Sequence, residues 1–227
     1  MTDDALVAET QNQDARKGGS TLQDVLDHIR EGMRQGRFVP GQRLVEPDLM
    51  QSLSVSRGTV REALVHLRAE GLVEFERYRG ARIRILSRQK VVELNQIRGV
   101  VEGLAAGLVA ERLEEEGRQR LIALHDEFDP ASDDYSSYNE SFHNTIIELS
   151  GNKSLPPVIA ATLLESFRVQ FDKLLSRREA TKRSYEEHTG ILNAILKRDA
   201  EEAQRRMTRH VEASCREILE APDHYFK

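Results

Sequence analysis

From Ser20 onward, apolar residues recur at helical spacing through Leu22, Val25, Leu26, Ile29 and Met33 and stop at Gly36. The pattern predicts an amphipathic helix with Ser20 as its N-cap. Phe38-Val39-Pro40-Gly41 reads as a turn, and Pro47 suits the first turn of a short helix that reaches about Leu53. Ser54-Val55-Ser56 then makes a tight corner, after which Val60, Leu64 and Leu67 form the buried stripe of a third helix ended by Gly71. Two short helices around a three-residue corner are a helix-turn-helix. The period next changes to two, in Leu72-Val73-Glu74-Phe75-Glu76 and Ala81-Arg82-Ile83-Arg84-Ile85, with Arg77-Tyr78-Arg79-Gly80 between. That alternation predicts a β-hairpin, a wing with two arginines and a glycine at its tip.

After Ser87 the strand signal ends. Helical patterns follow at about 89–115, 117–129, 133–149, 155–179, 182–197 and 199–220, interrupted by Gly117, Asp129-Pro130, Ser150-Gly151-Asn152 and Asp199. The reading is a mainly α chain: a disordered polar leader over 1–19, a winged helix-turn-helix over 20–86 and an all-α helical bundle over 87–222. Composition narrows this further. With 227 residues, a single Cys, no Trp and 31% charged residues, the chain fits two modest domains and excludes an internal disulfide or a membrane-spanning helix. A cytoplasmic location is expected, and Cys215 has no sequence context for a nucleophile.

The overall charge of −5 conceals an asymmetry. Residues 57–84 carry seven Arg and four Glu, whereas 87–227 are net acidic. Arginine's planar fork takes phosphate or guanine edges bidentately, so the distribution points to a polyanion-binding front on an acidic body. Arg57 and Arg61 lie four apart on the third helix, opposite Val60, Leu64 and Leu67. Arg57 sits in the first turn, where the helix dipole disfavours a cation by about 0.3–1 kcal/mol, and a polyanion accounts for it. The N-terminus of a recognition helix is where base edges and phosphates are met. Ser56 and Thr59 can add phosphate contacts, although Ser56 also suits a helix cap, and Arg77, Arg79 and Gly80 extend the surface along the wing.

The runs Pro40-Gly41-Gln42-Arg43-Leu44, Val55-Ser56-Arg57-Gly58-Thr59-Val60-Arg61-Glu62-Ala63-Leu64 and Leu67-Arg68-Ala69-Glu70-Gly71-Leu72-Val73, with Gly80-Ala81 in the wing, resemble the N-terminal domain of GntR-family bacterial transcription regulators. The helical remainder is similar to the FCD effector domain of the FadR subfamily. The resemblance implies that Arg57, Arg61 and the Gly80 wing tip contact double-stranded operator DNA, and that a small metabolite bound in the bundle controls that contact. It also departs at one place: Pro47 stands where some relatives have an arginine, with Arg43 as its replacement. A single winged helix offers few contacts, so a homodimer reading a palindrome is expected.

The remaining chemistry lies in seven histidines. His28, His66, His125 and His224 read as structural or solvated. Asn139 and His143 are four apart and share a helix face, while His188 and His210 lie eleven residues before and after Asp199, the expected corner of a helix hairpin. Antiparallel folding about that corner brings both to one height, about 16 Å from the turn. Three imidazoles and an amide oxygen on three helices either pack structurally or hold a divalent cation such as zinc or nickel. The FCD resemblance implies the second, since many such domains place Asp or Asn four before a His and two further His on the last helices. Asn139 in place of Asp predicts weaker metal binding. Arg98 is either an ordinary i,i+4 partner of Glu102 facing solvent or, as FCD relatives imply, the partner of a small organic acid in the cavity; Tyr138 and Ser141 are further candidates for that ligand. The alternative from another class is a metal-dependent hydrolase using the three histidines, but no His-Glu-x-x-His helix supplies its general base, and Glu186 and Glu187 point to other sides of their helix than His188.

Overall fold

A computed structural model describes residues 21–129, 135–161, 171 and 178–227; the leader expected over 1–19 lies outside them. Helix α1 (Leu22–Arg34) opens on a capping box in which the Thr21 hydroxyl accepts from the Asp24 amide and the Asp24 carboxylate accepts from the Thr21 amide. The cap is therefore Thr21, one residue after the expected Ser20. A two-residue strand β1 (Arg43–Leu44), α2 (Glu46–Leu53), α3 (Arg57–Ala69) and the hairpin β2 (Val73–Glu76) and β3 (Gly80–Ile83) follow. The sheet order is β1-β3-β2, antiparallel throughout, with Arg43 opposite Arg82 and Phe75 opposite Ala81. Strand β1 was not legible in the pattern because two residues cannot show a period. Val25, Ile29, Leu49, Val60, Leu64, Leu67, Leu72 and Ile83 bury together, so the helical stripes and the inner hairpin face share one core.

The helical body comprises α4 (Arg88–Arg112), α5 (Glu115–Asp126), α6 (Tyr135–Leu149), α7 (Leu155–Ala161), α8 (Arg178–Leu196) and α9 (Ala200–Leu219), then a 3-10 turn at Asp223–Tyr225. The break expected at Gly117 falls instead at Leu113, whose extended ψ of 114° stops α4 before Glu114 caps α5. Gly117 lies inside α5, and a Cβ there would stand 3.2 Å from Leu149, so this glycine serves close packing. Residues 162–170 and 172–177 of the expected 155–179 helix lie outside the described residues, and α8 is already helical over 178–180, so the break expected before Lys182 is not there. Helices α4 and α9 pack closely because Gly99, Gly103 and Gly107 face Thr208, Gln204 and Ala200. Ala105, Ala106, Phe142, Ile146, Ile191, Ile195, Met207 and Val211 fill the body's core. Among the described residues no helix is long and apolar enough to cross a membrane.

Candidate functional site: a reading helix and a three-histidine centre

Ser54 closes α2 in the left-handed conformation at φ 54°, and Ser56 caps α3, its hydroxyl accepting from the Thr59 amide at 3.1 Å and lying 2.8 Å from the Thr59 hydroxyl. This corner presents the start of α3. The Arg57 and Arg61 side chains are 60% and 64% exposed, and both approach Glu46 at the N-terminus of α2. Arg61 donates through Nε to both carboxylate oxygens at 3.1 and 3.2 Å, and Arg57 Nε stands 3.7 Å away. Glu46 thus aligns the two cations while engaging Nε alone; at such exposure the attraction is worth no more than about 1 kcal/mol, which leaves the pair available to an anion. Arg43 is exposed on β1.

At the wing, Gly80 has φ +81° with no atom within 4 Å of a notional Cβ, so its need is conformational, at an open tip. Arg79 is 80% exposed and contacts Glu76 at 3.8 Å. Sequence reading passed over Tyr78. It is 89% exposed, sits at φ 64°, which few non-glycine residues adopt, and has the Arg77 guanidinium 4.9 Å from its ring centroid. A large aromatic in a left-handed conformation and presented to solvent is uncommon and puts an exposed ring at the wing tip.

In the body, Arg198 at φ 58° makes the corner between α8 and α9, and Asp199 caps α9 by accepting from the Glu202 amide at 3.0 Å. The symmetric spacing does bring His188 and His210 level: their Nε2 atoms are 3.2 Å apart, and His143 Nε2 on α6 is also 3.2 Å from His210 Nε2. All three histidines are buried. Behind them stand two carboxylates. His210 Nδ1 lies 2.7 Å from Glu187 Oε2. His143 Nδ1 lies 2.6 Å from Glu102 Oε2, a charge contact at hydrogen-bonding distance although the two groups are off the alignment of a good hydrogen bond. Glu102 in turn receives Arg98 Nε at 2.7 Å, and the two side chains are 1% and 5% exposed. Of the two readings of Arg98, the solvent-facing one is excluded: it does pair with Glu102, but inside the body. Glu187 does point away from His188, as expected, but reaches across to α9; neither carboxylate's role was visible in the sequence.

With the proton of each ring on Nδ1, toward its carboxylate, the Nε2 lone pairs of His143 and His210 face each other. Two lone pairs at 3.2 Å repel unless a proton or a cation lies between them. Two nitrogens on a tetrahedral zinc with Zn–N of about 2.0–2.1 Å stand roughly 3.3 Å apart, so the donor set fits a divalent ion. Burial lowers the His143 pKa to about 4 against the pull of Glu102, and holds His188 well below the usual imidazole value, with His210 and His143 adding to the effect. Both rings are neutral near pH 7 and available as ligands. His188 stacks on Phe142 with centroids 4.2 Å apart, and among the described residues its buried Nδ1 has no hydrogen-bond partner.

Asn139 Oδ1 lies 3.3 Å from the Tyr135 hydroxyl, which also contacts Ser184. Tyr138 is buried against His188, and its hydroxyl is 2.8 Å from His125 Nδ1, while His125 Nε2 meets the Thr189 hydroxyl at 3.0 Å. Burial raises the Tyr135 and Tyr138 pKa values, so both phenols stay protonated and act as donors. Burial likewise raises the Cys215 thiol, consistent with an inert sulfur.

Comparison with known proteins agrees with this geometry. Residues 21–83 match the bacterial regulatory proteins of the gntR family, and residues 93–213 match the FCD domain. An HTH-type transcriptional regulator of Bacillus subtilis (strain 168), YdhC, is 27% identical over 205 residues, covering 85% of this chain and 88% of that protein. The HTH-type transcriptional repressor RspR of Escherichia coli (strain K12) is 24% identical over 219 residues, 90% of this chain and 92% of its own. The crystal structure of a GntR transcriptional regulator from Rhodococcus sp. RHA1 superposes with a TM-score of 0.71 at 26% identity, over 88% of this chain and 98% of that one. These are regulators rather than enzymes, and the hydrolase alternative finds no support among them. The chain belongs to the GntR family of bacterial transcriptional regulators, with a winged helix-turn-helix followed by an FCD domain.

Proposed function

We propose that this regulator is a repressor that binds palindromic operator DNA as a homodimer and is controlled by a small organic acid sensed beside a divalent metal ion in the FCD domain. The observation that carries the sensing half is the convergence of three buried imidazoles, with one ring nitrogen of each within 4.8 Å of the others and two of the rings backed by carboxylates. His143, His188 and His210, with the Asn139 amide oxygen, would hold the ion, and neutral imidazole donors favour zinc or nickel over harder cations. When bound, the ion supplies positive charge and open coordination positions to a carboxylate. Arg98 adds a second buried cation next to this centre, and its charge contributes to the depressed pKa of both His143 and His188. Tyr138, packed on His188 with its hydroxyl 2.8 Å from His125 Nδ1, bounds the same space.

The reading half rests on residues 20–86. Arg57, Arg61, Ser56 and Thr59 at the start of α3 and Arg43 on β1 would meet the major groove and its phosphates, while Arg77, Arg79 and Gly80 would carry the wing to the adjacent groove. The division at 86/87 has support in the separate cores of the two units. A second copy is favoured by Ile97, Val100 and Leu104, exposed apolar residues gathered on one side of α4. The DNA target places the protein in the cytoplasm. A gel shift on the DNA upstream of its own gene tests the reading: wild type shifts it at physiological salt, Arg57→Ala and Arg61→Ala abolish the shift while the circular dichroism spectrum is unchanged, and unaltered affinity in both variants overturns the proposal.

A further inference from the structure

The link between the two units is short. Strand β3 ends at Ile83 and α4 begins at Arg88, with Ser87 capping α4 through the Lys90 amide at 3.1 Å. Four residues would ordinarily act as a hinge. Here they are braced on both sides. The Arg84 amide donates to the Leu72 carbonyl at 2.9 Å, which ties the linker to the wing. On the other side the segment that follows α9 turns back on itself: Leu86 and Phe226 form a parallel β-bridge, and the Lys227 amide donates to the Leu86 carbonyl at 3.1 Å.

Arg88 fastens the same segment at three points. Its Nη2 donates to the Ala221 carbonyl at 2.8 Å, its Nη1 meets Asp223 Oδ1 at 2.8 Å, and its guanidinium lies 4.1 Å from the centroid of the Phe226 ring. A cation in the first turn of a helix is disfavoured by the helix dipole, so its presence there needs a partner, and these three contacts are that partner. Phe226 and Leu86 are buried in a small separate cluster with Val91, Leu94, Ile218 and Ala221. The cluster joins the linker to the start of α4 and the end of α9. Among the described residues the reading unit also meets the body at Arg34 and Glu140, 3.8 Å apart and partly exposed.

Both helices that converge on the linker also reach the three-histidine centre. His210 lies nine residues before the end of α9, about 13 Å along the helix, and α4 carries Arg98 and Glu102. The glycine-lined contact lets α4 and α9 pack closely along their length. We infer that residues 221–227 are a strap that makes the linker a rigid continuation of the α4–α9 pair, so that the orientation of the reading unit follows the helices of the sensing centre instead of being lost in a flexible joint. The inference rests on the DNA-reading proposal above for its consequence, though not for its geometry.

A strap that fixes orientation matters only when two reading units must engage one duplex together, because loosening the joint lowers the effective concentration of the second unit at its half-site. The test uses the full chain, Arg88→Ala, Phe226→Ala and the double variant, with a palindromic duplex selected in vitro from a random-sequence library and a fragment of it with one arm scrambled. Amide exchange over 84–88 should speed up in the variants. Affinity for the scrambled fragment should stay within about twofold of wild type, affinity for the palindrome should fall about tenfold, and the thermal shift produced by added zinc should be retained because the histidines are untouched. The mild Arg88→Ala variant keeps the experiment interpretable if the double variant folds poorly. Unchanged exchange over 84–88, or an unchanged palindrome affinity with accelerated exchange, overturns the strap. If wild type selects no duplex at all, the DNA-reading proposal fails, and the exchange arm alone decides whether the strap exists.

Discussion

Replacing Glu102 with Gln keeps the shape of the side chain and removes one charge from the most deeply buried ion pair described in the molecule. Arg98 and Glu102 meet at 2.7 Å with 5% and 1% of their side chains exposed. Removing one member of such a pair leaves a desolvated charge behind, at a cost of about 3–5 kcal/mol. Glutamine has a single carbonyl oxygen where Glu102 turns one oxygen to Arg98 and the other to His143, so one of the two neighbours then faces an amide N–H. For a chain of this size each kcal/mol moves the melting midpoint by about 2–4 °C, so Glu102→Gln should melt roughly 6–20 °C below wild type in calorimetry or circular dichroism. The companion variant Arg98→Met/Glu102→Leu removes both charges and fills the space. It should lie within about 2 kcal/mol of wild type, since paired burial gains little over well-packed apolar groups. The two-residue cycle, completed with Arg98→Met and Glu102→Leu as single variants, therefore reports a large coupling energy. A Glu102→Gln protein melting within 2 °C of wild type, by roughly the smallest shift that a single kcal/mol produces, would refute the assignment of Glu102 as Arg98's buried counter-charge.

Other outcomes follow from the same structure. His143 stays neutral down to about pH 4 in the fold, whereas an unfolded imidazole titrates near 6.5. Between those values the unfolded state binds more protons, so the stability of metal-free protein should be complete above pH 6.5 and fall by about 3 kcal/mol towards pH 4 from this group; a flat urea midpoint between pH 7.5 and 5 contradicts it. Asn139→Asp should tighten zinc binding about tenfold by restoring a negative ligand, measured by competition with a chromophoric chelator, and equal affinities would remove Asn139 from the ligand set. Gly99→Ala and Gly103→Ala should act in opposite directions. At 99 the new Cβ meets its nearest neighbour at 3.6 Å and gains helix propensity of about 0.5–1 kcal/mol, whereas at 103 it would stand 2.5 Å from Thr208 Oγ1 and 3.2 Å from the Gln204 carbonyl, costing about 1–3 kcal/mol; denaturant titration separates the two. Tyr78→Gly removes a left-handed non-glycine residue, so stability should hold or rise while palindrome affinity falls. A variant that binds DNA as wild type does would deny Tyr78 a part in reading.

What the sequence alone determined is local. The 3.6-residue stripes of α1 and α3, the alternation on either side of Gly80 and the i,i+4 pair Arg57/Arg61 are properties of neighbouring residues, and periodicity reports them directly. The level meeting of His188 and His210 was also legible, because equal distances from one corner are preserved when a helix hairpin closes. Only the tertiary structure decided which side of a helix met which neighbour. Arg98 and Glu102 look like a surface pair along α4, and their burial comes from the packing of α9 and α6 against it. Glu187 serves a histidine on the next helix instead of its own neighbour, and Phe226 closes on a linker 140 residues earlier in the chain. No spacing rule encodes contacts between distant segments, because their geometry is set by how side-chain volumes fill the core and not by the order of residues along the chain.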